Sequence, residues 1–267
     1  MKTYAQQDVD ALPTIDGVKH CPTGAYVDCK FGDFCQFNRS CTFGKRCKFG
    51  VGCKFAAHCE FGRACVFDEN CVFVGYSLFS RGCEFGNANR LGLGCEFGSS
   101  CLFDDGCVFE SSCRFSTGCK FRSYCKFDNC CEFSSDCEFN SSCTFGSNCT
   151  FGVSCLFRDR VKFGSHCAFG DGCKFDSGCS FEGHKARTDN PFIALDRAGS
   201  VNRKTYFFDF VDGIYVRSGC FFGTLQEFRQ KVLQDNWIPE ERSVKTLVYL
   251  GFSNLACAKF NQMENVE

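Results

Sequence analysis

Several features that would assign the chain to a common class are missing from its sequence. No stretch approaches the roughly 18 consecutive apolar residues of a membrane-spanning helix. Net charge is also small, with 30 Lys and Arg against 31 Asp and Glu, so a nucleic-acid partner is not expected. The opening, MKTYAQQDVD, lacks the apolar core of a secretory signal. We therefore expect a protein of the reducing cytoplasm, where cysteine stays a thiol.

Tryptophan and methionine are scarce as well, and two other residues dominate instead. One Trp and two Met accompany 35 Phe and 27 Cys, and this bias comes from an internal repeat. From Cys29 to His184 the chain consists of 26 six-residue blocks, or hexads, without an insertion. The first position is Cys in 23 hexads and the third is Phe in 25. The exceptions are Ser77, Asn89 and Val161 at the first position and Leu91 at the third.

Each hexad combines a short strand pattern with a turn pattern. Positions one and three are apolar and position two is mostly polar, which is the alternation of a strand. The last three positions are rich in Gly, Ser, Asp and Asn, which are turn residues. Strands this short bury their apolar side only if successive coils stack on one another, so the pattern predicts an all-β solenoid.

The pattern resembles the hexapeptide repeat of left-handed parallel β-helices, in which a small residue stands two before a large apolar one. The fourth position is Gly in 11 hexads and Ala, Asp or Glu in 7 more, as in that motif. The resemblance implies three hexads per coil and therefore between eight and nine coils. Phe is larger than the aliphatic residues usual in the family, so a four-sided coil, as in pentapeptide-repeat proteins, is the alternative geometry.

The sequences on either side of the array differ from it and predict three further segments. Residues 1–28 are expected to cap the first coil, because an open end would expose the Phe core and unpaired strand edges. Residues 185–204 are predicted to be a basic linker. A strand pair around Asp212–Gly213, a capping box of Thr224 and Glu227, and a helix beginning near Ser243 predict a ββαα module over 205–267.

The combination of an uninterrupted Cys-x-Phe array with the segment DGIYVRSGCFFGTLQEF is similar to largely uncharacterised proteins encoded by phages and prophages. That resemblance implies a viral context, with action in the host cytoplasm, and supplies no established activity. We expect a non-catalytic binding protein with a counter-defence role, which blocks a host protein or sequesters a small anionic ligand. A structural or assembly protein is an alternative.

Catalysis is the second alternative, because hexapeptide-repeat acyltransferases use a coil histidine as general base. His58, His166 and His184 all end a hexad at separations that are multiples of 18 residues, so a three-sided coil places them on one corner. His166 and His184 are therefore the candidate bases. The array has no loop leaving the coil to form a cleft, so we do not expect an enzyme.

Neither a metal nor a cofactor is expected. The repeat cysteines fall on three faces without a Cys-x-x-Cys motif, and apolar surroundings disfavour the thiolate that a metal would require. Cys is instead interpreted as a compact buried residue beside each Phe.

Binding residues are sought among the side chains that point outward. Between Cys29 and Ala64 there are seven basic and two acidic residues, and between Cys65 and Ser112 two basic and seven acidic. The acidic part also carries outward apolar residues, which predict contact with a protein partner or with another copy in a homodimer or homotrimer. They are Val66, Val72, Tyr76, Leu78, Leu102 and Val108.

A second candidate site lies near the predicted helix start in the C-terminal module. Cations beside a helix N-terminus can hold an anion. The candidate ligand-binding residues are Arg187, Arg203, Lys204, Arg217 and Thr224.

Overall fold

The computed structural model describes residues 1–198, 203–234 and 239–260, without the side chains of 196–198, 203 and 239–247. The chain forms two compact units, Met1–Gly183 and His184–Glu267.

The first unit is a parallel β-solenoid with three faces. Residues 18 apart pair on successive coils, as Phe49 does with Phe67 and Phe67 with Phe85. One coil is therefore three hexads, which confirms the three-sided prediction and shows that the four-sided alternative is wrong. The first sheet alone contains ten strands, so the solenoid has about ten coils.

The strands are short, and most contain only positions two and three of a hexad. The first sheet contains Thr3–Tyr4, Ala25–Tyr26, Thr42–Phe43, Glu60–Phe61, Leu78–Phe79, Glu96–Phe97, Arg114–Phe115, Glu132–Phe133, Thr150–Phe151 and Ala168–Phe169. The second sheet contains Lys30–Phe31, Lys48–Phe49, Val66–Phe67, Glu84–Phe85, Leu102–Phe103, Lys120–Phe121, Glu138–Phe139, Leu156–Phe157 and Lys174–Phe175. The third sheet contains Thr14–Ile15, Val18–Cys21, Cys35–Phe37, Lys54–Phe55, Val72–Gly75, Arg90–Leu93, Val108–Phe109, Lys126–Phe127, Thr144–Phe145, Lys162–Phe163 and Ser180–Phe181.

The N-terminal segment extends the solenoid rather than only covering it. Thr3–Tyr4 and Ala25–Tyr26 are the first two strands of the first sheet, and Val18–Cys21 pairs with the third sheet at Cys35–Phe37. Tyr26 is completely buried and stacks on Phe43, so tyrosine continues a phenylalanine column. Between these strands lies one short helix, α1 (Gln6–Asp10).

Stacked phenylalanine rings fill the interior of the prism. Phe121 lies parallel to Phe103 and Phe139, with ring centroids 4.8 and 4.9 Å away. It also meets the rings of the other two faces edge-on, as at Phe115, where the interplanar angle is 86°. Parallel offset and edge-to-face contacts are the arrangements that aromatic rings favour. Each coil of the array therefore contributes three rings, except where Leu91 replaces Phe, and the coils before and after it hold them.

The cysteines are small hydrogen-bond donors as well as small apolar residues. The backbone ladder between coils uses the carbonyls of positions one, three and five. The carbonyl of position four is reached by the thiol of a cysteine 21 residues later, for example Cys119 Sγ to Gly98 O at 3.4 Å. Cys143 donates in the same way to Arg122 O at 3.2 Å. Cys thus satisfies a backbone acceptor that alanine or valine would leave without this bond.

The corners of the prism depend on one unusual backbone conformation. The sixth position of every hexad from Phe34 to Gly178 is left-handed, with φ between +49° and +71°. Most of these residues are not glycine, and the conformation then costs roughly 1–2 kcal/mol each. From Phe34 to Arg160, each corner N–H donates to the fifth-position carbonyl of the next coil, as Ser142 does to Asp159 at 3.0 Å. The ladder therefore enforces the strained turns.

The second unit is an antiparallel sheet with two helices. Its strands are His184–Lys185, Phe192–Ala198, Arg203–Phe210, Gly213–Ser218 and Phe221–Thr224, and the last four form one sheet in that order. The helices are α2 (Leu225–Gln234) and α3 (Pro239–Lys259). The turn at Asp212–Gly213 is as predicted. The predicted linker 185–204 instead contains a strand of the sheet, so the module has a four-stranded rather than a two-stranded sheet.

Helices α2 and α3 pack on one face of this sheet. The core combines Phe207, Val216 and Leu225 with Phe228 and Tyr249, and other apolar residues surround them. Helix α3 begins at Pro239, before the predicted start near Ser243. Its buried side chains include Tyr249 and Ala256, whereas Val248 and Leu255 are exposed.

We expect Phe121→Leu to lower the free energy of unfolding by about 2–3 kcal/mol, because it leaves a void and removes two stacked ring contacts. Phe34 is 55% exposed at a corner, and Phe34→Leu is the matched control with an expected change below about 0.5 kcal/mol. Urea denaturation followed by circular dichroism measures both. Equal losses in the two variants would contradict the assignment of stability to the ring columns.

Glycine substitutions at two adjacent serines can test whether the corner conformation is strained. Ser142 has φ +63°, whereas Ser141 is not in the left-handed region. We expect Ser142→Gly to stabilise the protein by about 0.5–1 kcal/mol and Ser141→Gly to destabilise it by a similar amount. Changes of the same sign in urea denaturation would contradict the proposed strain.

Candidate functional site

The structure distributes the predicted partner-binding residues over three faces. Val66 and Leu102 lie on the second sheet with Glu84 between them. Val72 and Val108 lie on the third sheet with Arg90 between them. Leu78 lies on the first sheet and Tyr76 at the corner before it. A charged residue therefore separates the apolar residues on each face, and the six do not form one surface.

An exposed apolar surface does occur at the corner where the third sheet leads into the first. Val74, Tyr76 and Leu93 are 64%, 51% and 38% exposed, and Leu78 follows at 44%. The N–H of Tyr76 donates to Leu93 O at 2.8 Å, and Gly75 pairs with Leu93. We call Val74, Tyr76, Leu78 and Leu93 the apolar corner. Two of its members, Val74 and Leu93, were not predicted.

The apolar corner coincides with three of the four departures from the hexad pattern, Ser77, Asn89 and Leu91. Here the strands of the third sheet are four residues long, Val72–Gly75 and Arg90–Leu93, instead of two. Asn89 replaces Cys, accepts the Cys71 N–H and donates to Gly86 O, both at 2.7 Å. Leu91 replaces Phe and interrupts one ring column. The loss of Cys and Phe in these hexads is the sequence signal that marks the corner.

Three glycines make this corner possible. A Cβ on Gly92 would lie 2.1 Å from Val74 O, and one on Gly75 would lie 2.8 Å from Leu93 O. A Cβ on Gly94 would meet the Tyr76 ring at 2.9 Å. The two extended strands can approach, and the Tyr76 ring can lie along the corner, only because these positions have no side chain.

The histidines of the solenoid do not converge. His58 stacks on Tyr76 with centroids 5.4 Å apart, at the edge of the apolar corner. His166 lies on the same corner by register, as predicted, but six coils away, which is roughly 29 Å at 4.8 Å per coil. Within the described residues His166 has no hydrogen-bonded carboxylate to orient it as a base.

His184 belongs to the second unit, and there it has the partner that His166 lacks. Its Nδ1 lies 2.7 Å from Asp212 Oδ2, and Tyr215 donates to the same oxygen at 3.3 Å. The imidazole also packs against the Phe210 and Tyr215 rings. Asp212 was not predicted in this role because no periodicity connects it with His184, 28 residues before it.

These contacts shift the pKa values of Asp212 and Tyr215. Partial burial acts to raise the pKa of Asp212, but hydrogen bonds from His184, Tyr215 and its own backbone N–H outweigh burial and hold that pKa below its usual value. Burial, followed by the Asp212 charge, raises the pKa of Tyr215. The Asp212 carboxylate is therefore ionised over a wider pH range than a free aspartate.

The predicted anion-binding residues occupy separate environments. Arg187 bonds the buried Asp209 carboxylate at 3.0 Å and two backbone carbonyls. Thr224 and Glu227 form the predicted capping box, with the Glu227 carboxylate accepting the Thr224 N–H at 2.8 Å. That contact lowers the pKa of Glu227.

The remaining three candidates lie on two neighbouring strands. Arg217 is buried with its guanidinium over the Phe222 ring, Lys204 is half-buried, and the side chain of Arg203 is outside the described residues.

The thiols show no metal chemistry in the described part of the chain. No group of three or more His, Cys, Asp or Glu side chains there has a geometry that could hold a metal ion. Burial raises the pKa of the Cys29 thiol. Hydrogen bonding with Cys35 and Cys71, together with burial, raises that of Cys53. All 27 cysteines are thiols rather than disulfides.

Comparison of the chain with protein-family models, curated proteins and solved structures finds no match. Among the described helices, none is long and apolar enough to cross a lipid bilayer. Function is therefore inferred from the geometry of the chain itself.

We expect Asp212→Asn to make the second unit less stable at neutral pH. The pKa of Asp212 is lowered on folding, so its contribution is present above the unfolded value of about 4 and is lost as pH falls through the folded value. The stability difference between wild type and variant should therefore shrink below about pH 4. Urea denaturation at 222 nm reports the helices, which lie mainly in this unit. Asp189→Asn, an exposed carboxylate of the same unit, is the control, and an identical pH dependence in both variants would contradict the assignment.

Proposed function

We propose that the protein is a non-catalytic binding protein of phage type, which uses the solenoid as a rigid scaffold and blocks a host protein in the reducing cytoplasm. The observation that carries the proposal is the apolar corner. Its aliphatic and aromatic side chains are exposed at the one part of the array where both Cys and Phe are replaced, at Ser77, Asn89 and Leu91. Exposed apolar clusters with polar surroundings are typical of protein interaction sites.

The construction of the corner costs stability, and this favours a functional interpretation. Leu91 removes a ring from an otherwise continuous column, and Asn89 and Ser77 place polar groups in completely buried positions. A Cys-x-Phe hexad at these positions would pack as its neighbours do. Local departures from the rules that stabilise a fold are expected at functional sites. We therefore infer that the departures serve the exposed surface.

Sequestration of a small anion is the less favoured form of binding. The Arg187 guanidinium is bonded to Asp209 and to the carbonyls of Phe210 and Val211, and the Thr224 N–H is bonded to Glu227. These contacts stabilise the second unit and occupy the groups that an anion would need.

Acyltransfer is the second candidate, favoured by the His184–Asp212 pair. A carboxylate on Nδ1 orients the ring and leaves Nε2 to act as a base. His184 is therefore the better candidate than His166. Turnover of acyl-CoA donors that is lost in His184→Gln and retained in His166→Gln would support the enzyme over the binding protein.

The binding proposal is tested by replacing two exposed aliphatic residues of the corner. We expect the double variant Val74→Ser/Leu93→Ser to retain its thermal stability and to bind the partner about 10- to 100-fold more weakly, because both side chains lose buried apolar contact. Val153, 48% exposed at a distant corner, provides the matched control Val153→Ser. The measurement is quantitative capture from host lysate, with sedimentation velocity to detect a dimer or trimer. Equal capture by wild type and double variant would contradict the proposal.

A further inference from the structure

Four basic side chains lie on the corner between the first and second sheets. Lys45, Arg46, Arg63 and Arg81 occupy three successive coils there, and all four are exposed. Successive coils are separated by roughly 4.8 Å, the spacing of paired strands. We call these four residues the basic corner.

The basic corner differs from several arginines farther along the solenoid, which are paired with carboxylates. Arg114 bridges Glu96 and Glu132 at 3.8 and 3.2 Å. Arg122 pairs with Asp104 at 2.9 Å, and Arg158 pairs with Glu138 and Asp176. In the described part of the chain, none of the four residues of the basic corner forms an ion pair. Their charge is therefore available to a partner.

The basic corner and the apolar corner are the two edges of one face. The first sheet lies between them, and a single coil passes from Tyr76 through Leu78 to Arg81. Five residues of extended chain span at most about 17 Å. A partner segment of modest length can therefore contact both edges at once.

The first sheet also carries a groove, which begins beside the apolar corner and runs along the later coils, away from the basic corner. A groove of about 560 Å³ begins at Leu78 and follows the first sheet along the solenoid. Its floor includes the small fourth-position residues Ser80, Gly98 and Ser116, and the Glu96–Arg114 ion pair lines it. Small residues along this edge let a partner backbone approach the sheet.

We infer that the partner presents an acidic segment with a large apolar anchor, which seats the anchor on the apolar corner and its carboxylates on the basic corner. This inference rests on the proposed function and specifies the chemistry of the partner. A nucleic acid is the less suitable polyanion, because Glu60 and Glu96 flank Leu78 on the same face. Those carboxylates repel a phosphate backbone that crosses the sheet but not a peptide charged at one end.

The test is selection of random displayed peptides, long enough to cross the first sheet, on the full-length protein, followed by fluorescence anisotropy of the selected peptides. We expect enriched sequences to combine Asp or Glu clusters with an aromatic or aliphatic residue. Affinity should fall about tenfold or more in Arg63→Glu/Arg81→Glu and should weaken as salt is raised. Lys126→Glu/Lys162→Glu, on the exposed third sheet, makes the same charge change and should leave affinity unchanged.

The outcomes separate this inference from the proposed function. Binding that is lost in Val74→Ser/Leu93→Ser but retained in Arg63→Glu/Arg81→Glu would overturn the acidic partner and leave the apolar corner as the binding surface. Binding that neither double variant affects would overturn both. Selected peptides without acidic residues would overturn the inference. So would labelled single-stranded or double-stranded DNA that binds more tightly than any peptide and is released by Arg63→Glu/Arg81→Glu.

Discussion

The stacking of one coil on the next, in a fixed 18-residue register, is the constraint on which the whole solenoid depends. A two-residue strand has too few hydrogen bonds and too little buried area to persist alone. The parallel rings of residues such as Phe103, Phe121 and Phe139 bring successive coils together, and the backbone ladder sets their register. That ladder also holds the left-handed corners and aligns each thiol with a carbonyl of the coil before it. The roles of Cys, Phe and the left-handed corners therefore all depend on the same stacking of coils.

The same register organises the surface. Every second-position side chain lies above and below its equivalents on neighbouring coils, so an outward residue meets partners 18 residues away. Where residues of opposite charge alternate at that spacing, as Glu96, Arg114 and Glu132 do, they form ion pairs with one another. Such exposed pairs add little stability, about 0–1 kcal/mol each. Their larger consequence is that the paired side chains are less available to a partner than Lys45, Arg46, Arg63 and Arg81, which form no ion pair in the described part of the chain.

The fold of the array could be predicted because one short rule repeats without insertion, so that a single period determines coil size, face number and buried positions. The apolar corner could not, because exposure of Val74 and Leu93 depends on strands that extend past their usual third position. In the second unit, polar residues flank the strand Phe192–Ala198, and that segment was therefore predicted to be part of a linker. The spacing of Asp212 and His184 in the sequence does not predict a contact, and only the folded chain brings them together. Regular sequence therefore predicted regular structure, and the functional candidates lie where the regularity ends.

Three independent departures meet on the same coils, and their coincidence is the argument for one binding surface. From Cys95 to Phe157 each hexad keeps both Cys and Phe, and the solenoid ion pairs lie between Glu96 and Asp176. The preceding coils combine a missing ring at Leu91, the apolar corner and the basic corner. A missing ring alone could be a tolerated defect, and exposed aliphatic residues alone are common on protein surfaces. Unpaired cations at the other edge of the first sheet add positive charge beside the apolar surface. A partner can therefore be selected by its charge as well as by its apolar contacts.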